Sequence, residues 1–259
     1  MPFADLPNVR LHYSFTGPAT APSLILSNSL GSNFSMWEAQ APTFEKQFRL
    51  LRYDMRGHGQ SSIPTPPYAV PDLARDILAL ADSLNIARFH FCGLSIGGMI
   101  GMTLALEAPD RLHKLVLCNT AVKIGTPDFW NTRIQTVQSK GMKEVASAVT
   151  ARWFTPAFQQ SSTDKVASAI RVLESLDAQG YVGGCTAVRD FDFRESVSRI
   201  RTPTLVISGT HDPAATPADG RFLAEHIPGA RYVELNTSHL SSIEAPAQFN
   251  EAVLAFLNA

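Results

Sequence analysis

The sequence predicts an α/β domain: a mostly parallel β-sheet flanked by helices, interrupted by one helical insertion. Three observations carry that reading. Short apolar runs alternate with helical patterns along most of the chain. A Gly-Leu-Ser-Ile-Gly-Gly turn joins one such run to a helix. The alternation then lapses between about residues 121 and 194 and resumes at Pro203. With 259 residues, 45% of them apolar, the chain can bury the core of one large domain carrying an insertion.

Taken in order, the chain opens with a hairpin, Phe3 to Leu6 and Val9 to Phe15 around Pro7-Asn8, which should add antiparallel edge strands. Strands are then expected at Ser23–Leu26, Arg49–Tyr53, Arg88–Cys92, Lys114–Cys118, Thr204–Ile207 and Arg231–Leu235. Most are short apolar runs ending in Gly, Asn, Asp or Ser, as in parallel strands buried on both faces. Between two of them, Ile77, Leu80, Ala81 and Leu84 follow the spacing of one buried helix face. Pro71 suits the first turn of that helix, where its missing N–H costs nothing. Strand–helix alternation of this kind means crossovers and a parallel sheet. Within the lapse, Phe129 to Val137, Lys143 to Trp153 and Asp164 to Leu176 read as helices. They form an expected cap over the strand ends, where open α/β sheets bind ligands. The division is therefore a core of residues 1–120 and 195–259 with a cap of residues 121–194.

Charge narrows the function. There are 22 basic and 23 acidic residues, a formal net charge of −1, and no basic block. That balance argues against nucleic acid or an anionic membrane as partner. No run approaches the ~18 consecutive apolar residues of a membrane span, and MPFADLPNVR lacks the cationic start of a signal peptide. A cytoplasmic home is expected. The three cysteines, Cys92, Cys118 and Cys185, lack zinc-site spacing. Cys92 and Cys118 fall in strand-like runs as buried thiols. No metal and no cofactor is expected, since neither ligand clusters nor a phosphate loop can be found.

The chemistry concentrates at three turns. Gly93-Leu94-Ser95-Ile96-Gly97-Gly98 directly follows a strand and opens the helical run Ile100 to Glu107. A serine at such a turn is lifted clear of the sheet above a helix N-terminus whose free N–H groups can meet a developing oxyanion. A serine hydroxyl attacks only if a base takes its proton and a third group orients that base. The Thr204–Ile207 strand runs into a loop holding Asp212, and the Arg231–Leu235 strand runs into Asn236-Thr237-Ser238-His239. Three independent placements in the chain order Ser, Asp, His predict a triad of Ser95, Asp212 and His239. Asp54 also ends a strand, but its arginine- and glycine-rich loop reads as a turn that knits neighbouring loops. Asn119-Thr120, after the next strand, offers no acid. His211 adjoins the acid; His12, His90, His113 and His226 lie within elements and read as structural. For the oxyanion hole, the expected donors are the N–H groups of Ile96 and of Leu30, in the loop Asn28-Ser29-Leu30-Gly31-Ser32-Asn33.

These features resemble the α/β-hydrolase superfamily over essentially the whole chain: G-L-S-I-G-G, D-M-R-G-H-G-Q-S, and the downstream Asp212 and His239. Within it the chain is most similar to the 3-oxoadipate enol-lactone hydrolases of aromatic (protocatechuate and catechol) catabolism. The matching segments are Ser27 to Gly31, Phe91 to Gly101, Arg152 to Phe158 and Cys185 to Asp190. Where many superfamily members carry His-Gly, this chain has Asn28-Ser29. The resemblance implies a serine hydrolase that opens an enol-lactone through an acyl-enzyme. Its partner is then a small carboxylate-bearing lactone, so the cap should hold a cation. Arg133, beside Phe129-Trp130, is the expected reader, with Arg152 and Arg189 as alternatives, and Trp130 and Trp153 as pocket walls. A carboxylesterase or carbon–carbon hydrolase is the alternative on the same fold. A non-catalytic ligand-binding module is the alternative of another class, and its mark would be a missing triad member.

Overall fold

A computed structural model describes residues 2–259. Eight strands form one sheet in the order β1-β2-β4-β3-β5-β6-β7-β8. They are β1 (Phe3–Leu6), β2 (Val9–Thr16), β3 (Ser23–Ser27), β4 (Arg49–Tyr53), β5 (Phe89–Leu94), β6 (Leu112–Cys118), β7 (Thr204–Gly209) and β8 (Arg231–Leu235). The hairpin strands β1 and β2 pair antiparallel, as β2 does with β4; every later pairing is parallel. Strands β5 and β7 are buried along their whole length, which is why they read as continuous apolar runs rather than alternating ones.

The core helices are α1 (Ala41–Phe44), α2 (Val70–Ser83) and α3 (Ile96–Glu107). The inserted helices follow β6: α4 (Pro127–Lys140), α5 (Met142–Thr150), α6 (Pro156–Ser161), α7 (Thr163–Glu174) and α8 (Ala178–Asp190). The core then closes with α9 (Pro217–His226), α10 (Ser241–Glu244) and α11 (Pro246–Leu257). Helix α2 buries Ile77, Leu80 and Ala81, the face its spacing predicts, and ends at the half-buried Leu84. Helix α3 is apolar nearly all round, and Ile96 through Ala105 are all buried, as a helix laid centrally on a sheet must be.

Two inserted helices, α6 and α8, escaped the sequence reading. The signal in α8 is diluted because glycines make its closest contacts, although Tyr181, Cys185 and Val188 are buried on it too. A Cβ on Gly180 would lie 2.1 Å from the Gly57 carbonyl oxygen, and one on Gly183 would lie 2.4 Å from the Tyr68 ring. These contacts set the inserted helix directly on the loop that follows β4. That loop is itself tied down by charge. Asp54 accepts from Phe34 N (2.9 Å), Gln60 N (3.0 Å) and His12 Nδ1 (2.7 Å). Arg56 grips Asp76 of α2 through two bonds of 2.6 Å. The bland reading of Asp54 as a residue that knits loops is what the structure supports. All three cysteines are buried and free, with Cys92 and Cys118 sulfurs 3.8 Å apart.

His58 lies at the centre of this junction, fully buried, and its Nε2 accepts the Gly31 N–H at 3.1 Å. Accepting there requires a neutral ring with its proton on Nδ1, which faces the Arg56 carbonyl at 3.2 Å. Burial pushes His58 down from 6.5 to about 4 against the opposing pull of the Arg56 carbonyl and the Asp54 charge. The unfolded chain therefore takes up a proton below about 6.5 that the native state refuses until about 4, so stability is full above that window and falls as pH drops through it. At the bottom of the window the loss from this one group is about 3 kcal/mol. Urea midpoints at pH 7 and 4.5 should show the drop, and His58→Gln should shrink it. It should not vanish, because burial also pushes His90 to about 4.

Candidate active site

Strand β5 delivers Ser95 and helix α3 begins one residue later. Ser95 sits at φ 59°, ψ −117°, a conformation an L-residue holds only when its surroundings enforce it. Here the enforcement is visible. The Ser95 N–H donates to Cys118 O (2.9 Å), and the Ser95 carbonyl accepts from the Thr120 hydroxyl (2.8 Å). The turn closes only on glycine: a Cβ on Gly93 would lie 2.1 Å from Gly97 O, and one on Gly97 would lie 2.4 Å from Ser27 O. The spacing of glycines around the serine is thus a steric requirement.

Asp212, just past the end of β7, and His239, past β8, meet at 2.8 Å between Oδ2 and Nδ1. Burial raises the Asp212 carboxyl. The His239 charge and hydrogen bond, with the N–H groups of Ala214 (2.8 Å) and Ala215 (3.1 Å), outweigh burial and hold it below the usual carboxylate range. An ionised Asp212 can only accept, so His239 Nδ1 carries a proton, and in the neutral ring this leaves the lone pair on Nε2. His239 and Ser95 line the same cavity. No hydrogen bond joins their side chains, a contact that in such sites commonly tightens only in the substrate complex.

Polar supports that the sequence reading missed hold this arrangement. Asn119 donates to Asp212 Oδ2 (3.1 Å) and to Ser238 O (3.2 Å), and accepts from the Ser241 hydroxyl (2.6 Å). The position that offers no acid instead braces the acid supplied by another strand. On either side of His239, the chain is stapled to the inserted segment Arg152–Thr155. Ser238 Oγ donates to Arg152 O (2.9 Å) and Leu240 N to Trp153 O (3.0 Å). Glu244 accepts from Ser238 N (2.9 Å) and from both the backbone and the hydroxyl of Thr155. Apart from Ser238 and Glu244, six residues apart, these partners are distant in sequence, so the sequence carries no mark of the pairing.

The loop after β3 brings Leu30 against the cavity beside Ser95. Its neighbours' N–H groups are committed: Ser29 to Met36 Sδ (3.4 Å), Gly31 to His58 and Ser32 to Ser29 O (3.2 Å). Among the described residues, the N–H groups of Leu30 and Ile96 donate to no protein acceptor. Asn28 is buried and serves the scaffold, with Nδ2 on Tyr53 O (2.7 Å) and Oδ1 on the Trp37 indole (2.8 Å).

The cavity, of about 520 Å³, also contains Trp130, Trp153, Arg133 and Arg152. Arg133 lies over both Phe129 and Trp130, 4.7 and 5.0 Å from their ring centres. Burial and the neighbouring Arg133 charge push the Arg152 guanidinium down from its ordinary value. Arg189 is a correction. Its guanidinium is spent on Asp190 (2.7 Å) and Asn131 (2.9 Å) and does not line the cavity. The adjacent aspartate was the signal that could have excluded it.

Fold and site together define a hydrolase, and the comparisons agree: the chain matches the family model for the alpha/beta hydrolase fold over residues 22–246. The chain belongs to the α/β-hydrolase family. Among its relatives is 3-oxoadipate enol-lactonase 2 of Acinetobacter baylyi, 42% identical over 96% of this chain and 94% of that protein. A second, 3-oxoadipate enol-lactonase 1 of the same organism, is 36% identical over 95% and 92%. The crystal structure of the enol-lactonase from Burkholderia xenovorans LB400 is 45% identical, covers 100% of both chains and superposes with a TM-score of 0.98.

The two buried Asp–His pairs, Asp212–His239 and Asp54–His12, make a direct test of roles. If Asp212 orients His239, Asp212→Asn should lower kcat by roughly 10⁴ in protein that still folds, through the wrong imidazole tautomer. Asp54→Asn should do the reverse, lowering the midpoint and leaving kcat within about tenfold. Loss of turnover in Asp54→Asn at full stability would exchange the assignments.

Proposed function

We propose that this protein is a 3-oxoadipate enol-lactonase, opening the lactone ring of an anionic substrate through a Ser95 acyl-enzyme. The observation that carries the reading is the electrostatics of one cavity. Ser95 and His239 share it with two guanidinium groups, Arg133 and Arg152, and among the described residues no carboxylate lines it, the Asp212 charge acting on Arg152 from outside the lining. Two cations that repel one another at a half-buried site gain most from an anion set between them. A neutral carboxylesterase has no use for such a pair, whereas a lactone bearing a free carboxylate does. The enol-lactonase relatives, full-length and at 36–45% identity, support the same substrate class.

The steps follow from the residues. With the substrate carboxylate held by Arg133 and Arg152, Ser95 Oγ attacks the lactone carbonyl as His239 Nε2 takes its proton. Asp212 holds the imidazolium that results. The tetrahedral oxyanion meets the free N–H groups of Ile96 and Leu30, at the positive end of α3. Collapse breaks the ring C–O bond. The leaving group is an enolate, which takes the proton from His239 and becomes a ketone, so it departs readily and remains tethered to the acyl chain. Water, deprotonated by the same His239, then attacks the ester to Ser95. Its collapse returns a proton to the serine and releases 3-oxoadipate. Every step uses side chains and backbone of this chain. Trp130 and Trp153 wall the cavity, and a cytoplasmic location completes the proposal. Among the described residues no helix is long and apolar enough to cross a membrane.

Arg133→Ala should lower kcat/KM on the enol-lactone by about 30-fold or more, the loss of a charge-assisted contact shielded from water. Hydrolysis of a neutral aryl acetate should change by less than about threefold, because it needs no cation. Steady-state kinetics on the two substrates decide the matter: equal losses on both would make Arg133 structural and remove the anionic-substrate reading.

A further inference from the structure

A second hollow lies directly behind the active-site wall. It measures about 720 Å³, larger than the roughly 520 Å³ of the reacting cavity. Its apolar surface comes from Met36, Ala39, Ala169, Val172, Leu240 and Ile243. Glu38 and Lys165, both exposed, border it on the solvent side. One residue lines both hollows: Trp153. Its side chain is only 4% exposed, although open space lies on two sides of it.

Trp153 is fixed in that position. Its N–H donates to Thr150 O (3.0 Å) and its carbonyl accepts from Leu240 N (3.0 Å). On one side Arg152 O holds the Ser238 hydroxyl, and on the other Thr155 is bound by Glu244. The backbone of Trp153 is clamped between the histidine loop and the inserted helices, which holds the buried residue where it lines both hollows. We propose that Trp153 is the specificity-determining residue that sets how long a substrate the Ser95 cavity accepts. The hollow behind it is an unused extension suited to a linear apolar chain. The native lactone, short and charged, needs none of that space, and the indole keeps longer aliphatic esters from reaching it.

The proposal goes beyond the lactonase reading but rests on Ser95 being the reacting serine. The experiment separates the two, since wild-type turnover of the enol-lactone tests that reading and chain-length preference tests this one. The probes are two ester series running from short to long: p-nitrophenyl acetate to octanoate for the acyl arm, and ethyl to octyl acetate for the alcohol arm. Wild type should fall off steeply with length in both. Trp153→Ala should raise the long-to-short ratio of kcat/KM in one series by at least about tenfold. Each methylene newly buried is worth about fourfold, so about two of them suffice for that change. Trp153→Leu should move the ratio in the same direction by less, and serves if the alanine variant does not fold. Adding Ala169→Phe to either variant refills the hollow from α7 and should take back at least threefold of the gain. An unchanged ratio in both series with folded protein overturns the proposal. So does a gain that Ala169→Phe leaves untouched, since the chain would then lie elsewhere.

Discussion

The strained backbone at Ser95 is the constraint on which the rest of the site depends. An L-residue at φ 59° between a buried strand and a buried helix is unfavourable by itself, at a cost of order 1–3 kcal/mol. It persists because the chain on every side over-determines it. Gly93 and Gly97 permit the close approach of backbone that no side chain would allow. Cys118 O and the Thr120 hydroxyl fix the peptide groups on either side of the serine. The return is geometric: the hydroxyl stands above the sheet while the first N–H of α3 stays unpaired beneath it. Strand order then supplies the rest, because β7 and β8 run parallel to β5 and end at the same edge.

This explains which parts of the structure were legible in the sequence. Strands buried on both faces announce themselves as short apolar runs, and β4 and β8 were located to the residue. The elbow was legible because its sterics demand glycine at fixed offsets from a serine. Asp212 and His239 were legible because each sits in the turn that ends such a run. What escaped is of a different physical kind. Helix α8 buries glycines against Gly57 and Tyr68 alongside Tyr181, Cys185 and Val188, so glycine dilutes the apolar pattern that would mark it. Asn119, Glu244 and His58 act through hydrogen bonds to partners distant in sequence, and a polar residue carries no mark of the partner it will meet. Arg189, an alternative to Arg133, is taken up by its immediate neighbour Asp190.

The inserted helices are more than a cover. Their Arg152–Thr155 segment holds the histidine loop by backbone and side-chain bonds on both sides of His239. The same segment supplies Arg152 and Trp153 to the cavity. On the proposed reading, substrate recognition and base positioning therefore share one stretch of chain. A cap built in this way cannot lift as a unit without disturbing the triad. Elsewhere on the insertion, Phe129 of α4 lies at the cavity with 37% of its surface exposed. Shared anchoring of this sort also ties substrate choice to the fold: changing the cations or the indole alters the pocket, while the staples leave the reacting groups in register.

The central claim is that Ser95, Ile96 and Leu30 form one reacting centre, with the serine attacking and the two amides receiving charge. A crystal structure of the protein after reaction with an organophosphonate tests it most directly, since the tetrahedral phosphorus mimics the intermediate. The account predicts a bond from Ser95 Oγ to phosphorus and a phosphonyl oxygen about 3 Å from both the Leu30 and Ile96 nitrogens. An adduct on another residue, or a phosphonyl oxygen turned away from those two amides, would contradict it.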